Sequence, residues 1–408
     1  MMERPTSKCN QELAYNNRRK ACKRGHYMEK AAGTPLDPYG VYEKLRTVAH
    51  QQGRVCFVFG AGASFGYSRL PNQGAPPVVA GLFDDTVTVV NKVLSRHEFI
   101  QRRRNDIQEE LIEHGGDLES YLGHLYKLHP NNELFTRLIL YMQDVCALAS
   151  ETIDADRETN NYLRLIYRME SLRGADWSCI TFNYDTILER TFMAVGSASR
   201  TFANAHDYDL GPKIIKVHGG INFRYQFQET DQPVRTMGNV FDHMMAHSSE
   251  AKDASIYCLP MSDAIPISRT TMNTGGNRTP ARRLGIYNYP AMMVPIHNTN
   301  NTHNQFFQSA VDRALQEIHN AKIVIAIGYN FGDKIFVDGM RKLDLSGKEM
   351  LVVSGSDFSD NPTDCPAYNE LSNFWSGPLY LFRGAKFASF VNSIGPTNPK
   401  VIEQTAHT

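Results

Sequence analysis

The feature that most constrains this chain is a short, unbroken apolar run, Val55 to Phe59, that passes without a spacer into Gly60, Ala61, Gly62, Ala63 and Ser64. A run with no polar alternation predicts a strand buried on both faces, and such strands belong to parallel sheets covered by helices on each side. Similar runs stand at Ser178 to Phe182, Ile214 to Val217, Met292 to Pro295, Ile323 to Ile327 and Met350 to Ser354. Ala310, Val311, Ala314, Leu315 and Ile318 mark the apolar face of an amphipathic helix among them. Strand and helix alternation of this kind predicts an α/β chain built on a Rossmann-like, doubly wound parallel sheet.

A second pattern occupies residues 86–171. Leu118, Tyr121, Leu122 and Leu125, then Leu134, Phe135, Leu138, Ile139 and Met142, recur at three- and four-residue spacing, which predicts a smaller helical subdomain. Residues 226–284 are rich in Thr, Ser, Asn, Asp and Gly without a strong period and read as an inserted loop or flap. The expected plan is a basic arm over 1–44, a nucleotide-binding domain over 45–396 and a tail over 397–408.

Composition narrows the partners. The 408 residues carry 43 Lys and Arg against 43 Asp and Glu, so no overall basic field exists to hold a nucleic-acid backbone. The first residues lack the apolar core of a signal peptide, and no apolar run approaches the roughly 18 to 20 residues that span a bilayer, so a cytoplasmic protein without membrane contact is expected. Seven cysteines are scattered with no C-x-x-C pair, which argues against a disulfide framework and a cysteine-rich zinc module. His243 and His247 stand four apart, but no glutamate lies between them and no third ligand is evident, so no metal is expected.

The chemistry concentrates where the strand-like runs end. After Phe59, glycine permits a sharp turn and the approach of a phosphate to the backbone. The spacing is not G-x-G-x-x-G, and no acidic residue closes a second strand about 20 residues on, which disfavours hydride transfer. Plain helix-to-sheet packing explains such a turn equally. WSCITFNYD ends in Asn183, Tyr184 and Asp185, polar groups that would point into the ligand crevice of an α/β sheet, although Asp185 also suits a helix cap. KIIKVHGG brings His218 to a strand end with Gly219 and Gly220 leaving space beside it, a position suited to a general base. IGYN and SGSD add Gly328, Tyr329 and Asn330, then Ser354, Ser356 and Asp357, able to hold ribose hydroxyls and the adenine side of a nucleotide or simply to make turns.

Taken in order, GAGAS, TFNYD, KVHGG, IGYN and SGSD resemble the sirtuin-like family over residues 45–395, most closely its bacterial anti-phage branch, whose members hydrolyse NAD+. The resemblance implies that NAD+ is the substrate, cut to nicotinamide and ADP-ribose by an effector that depletes it in the cell. It implies Asn183 and His218 as the catalytic pair, Gly60, Ala61, Gly62 and Ser64 on the diphosphate, and Asp185 supporting the nicotinamide ribose. DLESYLGHL also looks like the helical subdomain of that branch. Likeness to stand-alone subunits of sirtuin–HerA systems implies a homo-oligomer and a HerA-type ATPase partner. The four-cysteine zinc module of the deacylases is absent, with only Cys258 in that region, and Arg69 to Gln73 replace their Pro-Asp-Phe-Arg stretch. Zinc is therefore not expected. A catalytically silent NAD+- or ADP-ribose-binding subunit, and behind it an NAD+-dependent protein deacylase, are the alternatives.

Overall fold

A computed structural model of the chain describes residues 34–68, 76–77, 81–116, 118–128, 133–151, 158–172, 174–195, 201–226, 253–260, 289–293, 304–356, 358, 361–384 and 386–395. The chain divides after Gly33, and the fold is that of the unit beginning at Thr34. Most of the basic arm, the C-terminal tail, Asp357 and the pair His243 and His247 lie outside the described residues.

Among the described residues ten strands form two sheets. In chain order they are β1 (Thr34–Leu36), β2 (Arg54–Phe59), β3 (Asp176–Thr181), β4 (Lys213–Lys216), β5 (Gly219–Gln226), β6 (Ser255–Cys258), β7 (Tyr289–Met292), β8 (Ile323–Ile327), β9 (Glu349–Val353) and β10 (Leu379–Phe382). The larger sheet runs β1-β10-β9-β8-β2-β3-β4 with every neighbour parallel. From β2 the chain moves outward through β3 and β4, then returns to β8 on the other flank and continues to β9 and β10. The order reverses between β2 and β8, and ligands of doubly wound sheets bind outside the carboxyl ends at such a point.

The apolar alternation of β2 explains why both faces must be covered. Val55, Phe57 and Phe59 join one core with the helices Pro38–His50, Asn161–Ser171, Ile187–Ala194 and Phe387–Ser393. Cys56 and Val58 point the other way, into a core with Gln305–Asn320, Lys334–Met340 and Pro366–Ser372. The expected α/β class with a Rossmann-like parallel sheet and helical regions is what the chain adopts.

Four strands differ from the sequence reading. Of the expected run Met292 to Pro295, Met292 ends β7, which pairs antiparallel with β5 in a small second sheet that starts at Gly219, where φ is +67°, and residues 294–295 lie outside the described residues. Ser255–Cys258, inside the expected flap, is the other neighbour of β5. β1, the edge strand, and β10, between β1 and β9, are not among the expected strands; β1 is only three residues long, and β10 (Leu379, Tyr380, Leu381, Phe382) is apolar throughout but only four residues long and half-buried over its first two. A third core gathers the helices Thr88–Leu94, Glu98–Arg102, Arg104–Glu113, Leu118–Leu128 and Glu133–Glu151 over Ile221 of β5 and Met292 of β7.

Candidate active site

The turn after β2 nests against the turn after β8. Gly60 N–H donates to the Ile327 carbonyl and Gly62 N–H to that of Gly328, both at 3.1 Å. A Cβ at Gly60 would lie 2.5 Å from the Gly328 oxygen, and one at Gly328, where φ is +61°, would lie 2.4 Å from the Ala63 nitrogen. These glycines therefore permit backbone to meet backbone at the point where strand order reverses. Two N–H groups expected to greet a phosphate are already used by the protein, while Ala61 stands exposed at the start of the short helix Ala61–Phe65.

Asn183 follows β3 and is buried. Its amide nitrogen donates to the Gly60 carbonyl at 3.0 Å and to Ser64 Oγ at 2.8 Å, while its own N–H donates to Thr181 Oγ1. Ser64, only 1% exposed, lies 3.3 Å from the Tyr162 hydroxyl. It is an internal strut that ties the glycine turn to the end of β3. Asp185 receives the Ile187 N–H at 3.0 Å, the local duty that makes it a helix-start residue. Burial raises its carboxyl above the ordinary range, against the opposing pull of the Lys216 charge and the Ile187 N–H.

His218 follows β4. Thr181 pairs with Lys216, and Val217 N–H donates to the Thr181 carbonyl at 3.0 Å. Asn183 and His218 thus each lie two residues beyond the last paired positions of adjacent parallel strands. The imidazole is 4% exposed, and its Nε2 lies 2.8 Å from Asp333 Oδ2. Phe182 meets the ring edge-on with centroids 5.0 Å apart, and Tyr184 flanks it at 6.0 Å. Gly220 has no room for a Cβ, which would lie 2.7 Å from Lys216 Cε. Lys216 itself is buried, donating to the Asp185 carbonyl and paired with Glu189 at 2.8 Å.

The remaining expected residues sit around this centre with different duties. Tyr329 is stacked on Phe182 at 4.1 Å and packs into the core, Asn330 is exposed and its Oδ1 receives the Gly332 N–H, and Ser354 and Ser356 lie at the end of β9, half-buried and exposed. Asp333 and Lys216 were missed. Asp333 lies three residues beyond Asn330 and reads in sequence only as a cap for Lys334–Met340, a role it does fill through Oδ1 to the Ile335 and Phe336 N–H groups. Although burial works to raise its carboxyl, the hydrogen bond and charge of His218, with those two N–H groups, hold it below the ordinary range. Among the described residues no group of three or more His, Cys, Asp or Glu could hold a metal ion. No helix among them is long and apolar enough to cross a membrane. A cleft of 650 Å³ opens beside β4, lined by Lys216 with Tyr208, Phe306 and Arg313, and neither Asn183 nor His218 lines it.

No protein-family model matches the chain, and no curated protein sequence does. Among solved structures it is similar to a Sir2 homologue in complex with NAD (12% identity, 92% of this chain and 97% of that one, TM-score 0.43). It is also similar to a variant Sir2 homologue in complex with ADP-ribose (12% identity, 90% and 98% covered, TM-score 0.41). A third similar chain comes from a structural study of the mechanism and regulation of Sir2 enzymes (12% identity, 90% and 99% covered, TM-score 0.39). The resemblance is one of fold.

Proposed function

We propose that this chain is an NAD+ hydrolase that cleaves NAD+ with water to nicotinamide and ADP-ribose at the carboxyl ends of β2, β3, β4 and β8. The observation that carries this reading is that a tethered amide, Asn183, and a buried imidazole, His218, each stand two residues past the ends of the neighbouring strands β3 and β4, the amide bonded to the glycine turn after β2 and the imidazole to Asp333 after β8, the two strands between which the order reverses. As the bond between nicotinamide and ribose breaks, positive charge develops on the sugar, so the site must orient that bond and deliver water to the exposed carbon. Asn183 has given both amide hydrogens to Gly60 and Ser64, which leaves it the acceptor Oδ1 to offer a water or a ribose hydroxyl. His218 takes the proton that the attacking water, or a ribose hydroxyl, releases. The departing nicotinamide is neutral, and water supplies the hydroxyl retained on ADP-ribose.

The residues present fit the nucleotide unevenly. Because the Gly60 and Gly62 N–H groups are occupied, a diphosphate would meet the exposed Ala61 side of the turn. Ser354 and Ser356 would lie toward the adenosine half, and Asp185 would act on the nicotinamide ribose through the backbone it holds. On the sequence motifs alone, the proposal extends to an anti-phage effector that depletes cellular NAD+, assembles as a homo-oligomer and works with a HerA-type ATPase.

The decisive experiment incubates the protein with NAD+, with and without candidate activators, and follows nicotinamide by chromatography. Wild type should release it and His218→Ala should not, since general-base catalysis is worth about a hundred- to ten-thousand-fold. Equal release by the two proteins would refute the assignment.

A further inference from the structure

We propose that Asp333 is a positioning residue that keeps a proton on His218 Nε2 and thereby presents Nδ1 as the basic atom of the site. The inference rests on the reading of His218 as general base. A carboxylate can only accept, so the Nε2 facing Asp333 Oδ2 at 2.8 Å must be the donor, and in a neutral ring the other nitrogen is then the acceptor. Asp333 is 2% exposed and cannot turn away, because Oδ1 is engaged by the Ile335 and Phe336 N–H groups at 2.9 and 3.2 Å. The imidazole is held between the edge contact of Phe182 and the ring of Tyr184.

The chain leading to Asp333 is also constrained. Phe331 takes φ +58°, in the left-handed region that side chains avoid, while its ring is buried 4.7 Å from Tyr329, which in turn stacks on Phe182. One aromatic group thus fixes both members of the pair. Backbone strain held by surrounding packing beside a polar pair is a recurrent mark of a functional position.

Substitution separates this role from helix capping. Asn, Ser and Asp are similar N-caps, so a residue needed only for the helix would tolerate either replacement. In Asp333→Asn the two helix N–H groups retain the amide oxygen, which turns the NH2 toward His218. Nε2 must then accept, the proton moves to Nδ1, and the base is lost. Asp333→Ser keeps a cap but leaves Nε2 free to hold or lose its proton. The order of kcat should be wild type, then Ser, then Asn, with KM little changed. For Asn the loss should be on the order of 10⁴-fold, as for the same change in the buried Asp–His pair of serine proteases.

Nitrogen-15 imidazole spectra, with the His218 signals identified by their absence in His218→Ala, read the tautomer without substrate. Nε2–H in wild type and Nδ1–H in Asp333→Asn are the expected result. An unchanged tautomer in Asp333→Asn, or wild-type kcat in both variants, would overturn the proposal. If wild type releases no nicotinamide, the NAD+ hydrolase reading fails, and the spectra alone then decide whether Asp333 sets the tautomer.

Discussion

Burial pushes two carboxylates near the candidate site in the same direction, yet their net shifts are opposite, and the difference is measurable. Asp333 is held below the ordinary range because His218 and two helix N–H groups outweigh its burial, whereas burial of Asp185 outweighs Lys216 and a single N–H. Its depressed value means that Asp333 adds stability above the unfolded carboxylate value of about 3.9, and that this is lost as pH falls through the folded value. Asp185 has the reverse sign: its contribution declines as pH rises from about 3.9 through its raised folded value. Relative to wild type, Asp333→Asn should therefore lose stability with rising pH over the lower window, and Asp185→Asn should gain it over the upper one. Urea midpoints across an acid pH series test this, and slopes of the same sign would contradict it. At this scale the sequence disclosed what stands directly at a strand end, Asn183 and His218, because period and position suffice to find such residues. It did not disclose Asp333, which is 115 residues from the imidazole it faces and has a complete local explanation as a cap.

Elements were legible in proportion to their burial. β2, β3, β4, β8 and β9 carry apolar runs that are buried nearly throughout, whereas β1 is a three-residue edge strand and β10, apolar from Leu379 to Phe382, is only half-buried over its first two residues. β7 shares only Met292 with the expected run Met292 to Pro295, and that residue is buried beneath the helical layer, so an apolar run alone cannot name the sheet it joins. The glycine turn was legible as a turn and ambiguous in purpose, since the sequence does not reveal that Gly328 lies against it. That contact predicts a specific sensitivity. Gly328→Ala would add roughly 1–2 kcal/mol for the left-handed backbone, and its Cβ would also meet the Ala63 nitrogen at 2.4 Å and the Gly62 carbonyl carbon at 2.5 Å. The β2 turn must move, carrying the Gly60 carbonyl away from Asn183. Gly355→Ala, with nothing within 4 Å, is the control. Urea unfolding should show a lower midpoint for the first at an unchanged slope and no change for the second. Equal midpoints would contradict backbone nesting as the reason for these glycines.

Across the whole molecule, the helical layer meets the rest of the fold through β5 and β7, and a buried polar group lies near that junction. His97 Nε2 and Asp144 Oδ2 are 2.9 Å apart, with both side chains nearly inaccessible. Arg224 of β5 is 1% exposed and donates to the carbonyls of Ile221 and Phe223. Burial lowers its guanidinium to about 10 against the stabilising charges of Tyr257 and Asp144. Asp144 thus acts on one cation of the small sheet and one imidazole of the helical layer. None of this is readable in the sequence, where Asp144 stands in the middle of an amphipathic helix 47 residues from His97. Asp144→Asn keeps the shape and removes the charge. The change weakens a buried hydrogen bond to a carboxylate, an interaction worth about 1.5–3 kcal/mol. The helical core packs on Ile221 and Met292, and its last helix is joined to the main core through Leu140 and through Ser150, whose Oγ accepts the Thr186 N–H; loosening at Asp144 should be local before it is global. Hydrogen exchange is the measurement: amides of Glu133–Glu151, Glu98–Arg102 and β5 should exchange faster in the variant, while those of β2, β3 and β8 keep their protection until the whole chain unfolds. Equal acceleration in both sets would mean that the two cores form one cooperative unit, and no acceleration in either would mean that Asp144 does not hold the junction.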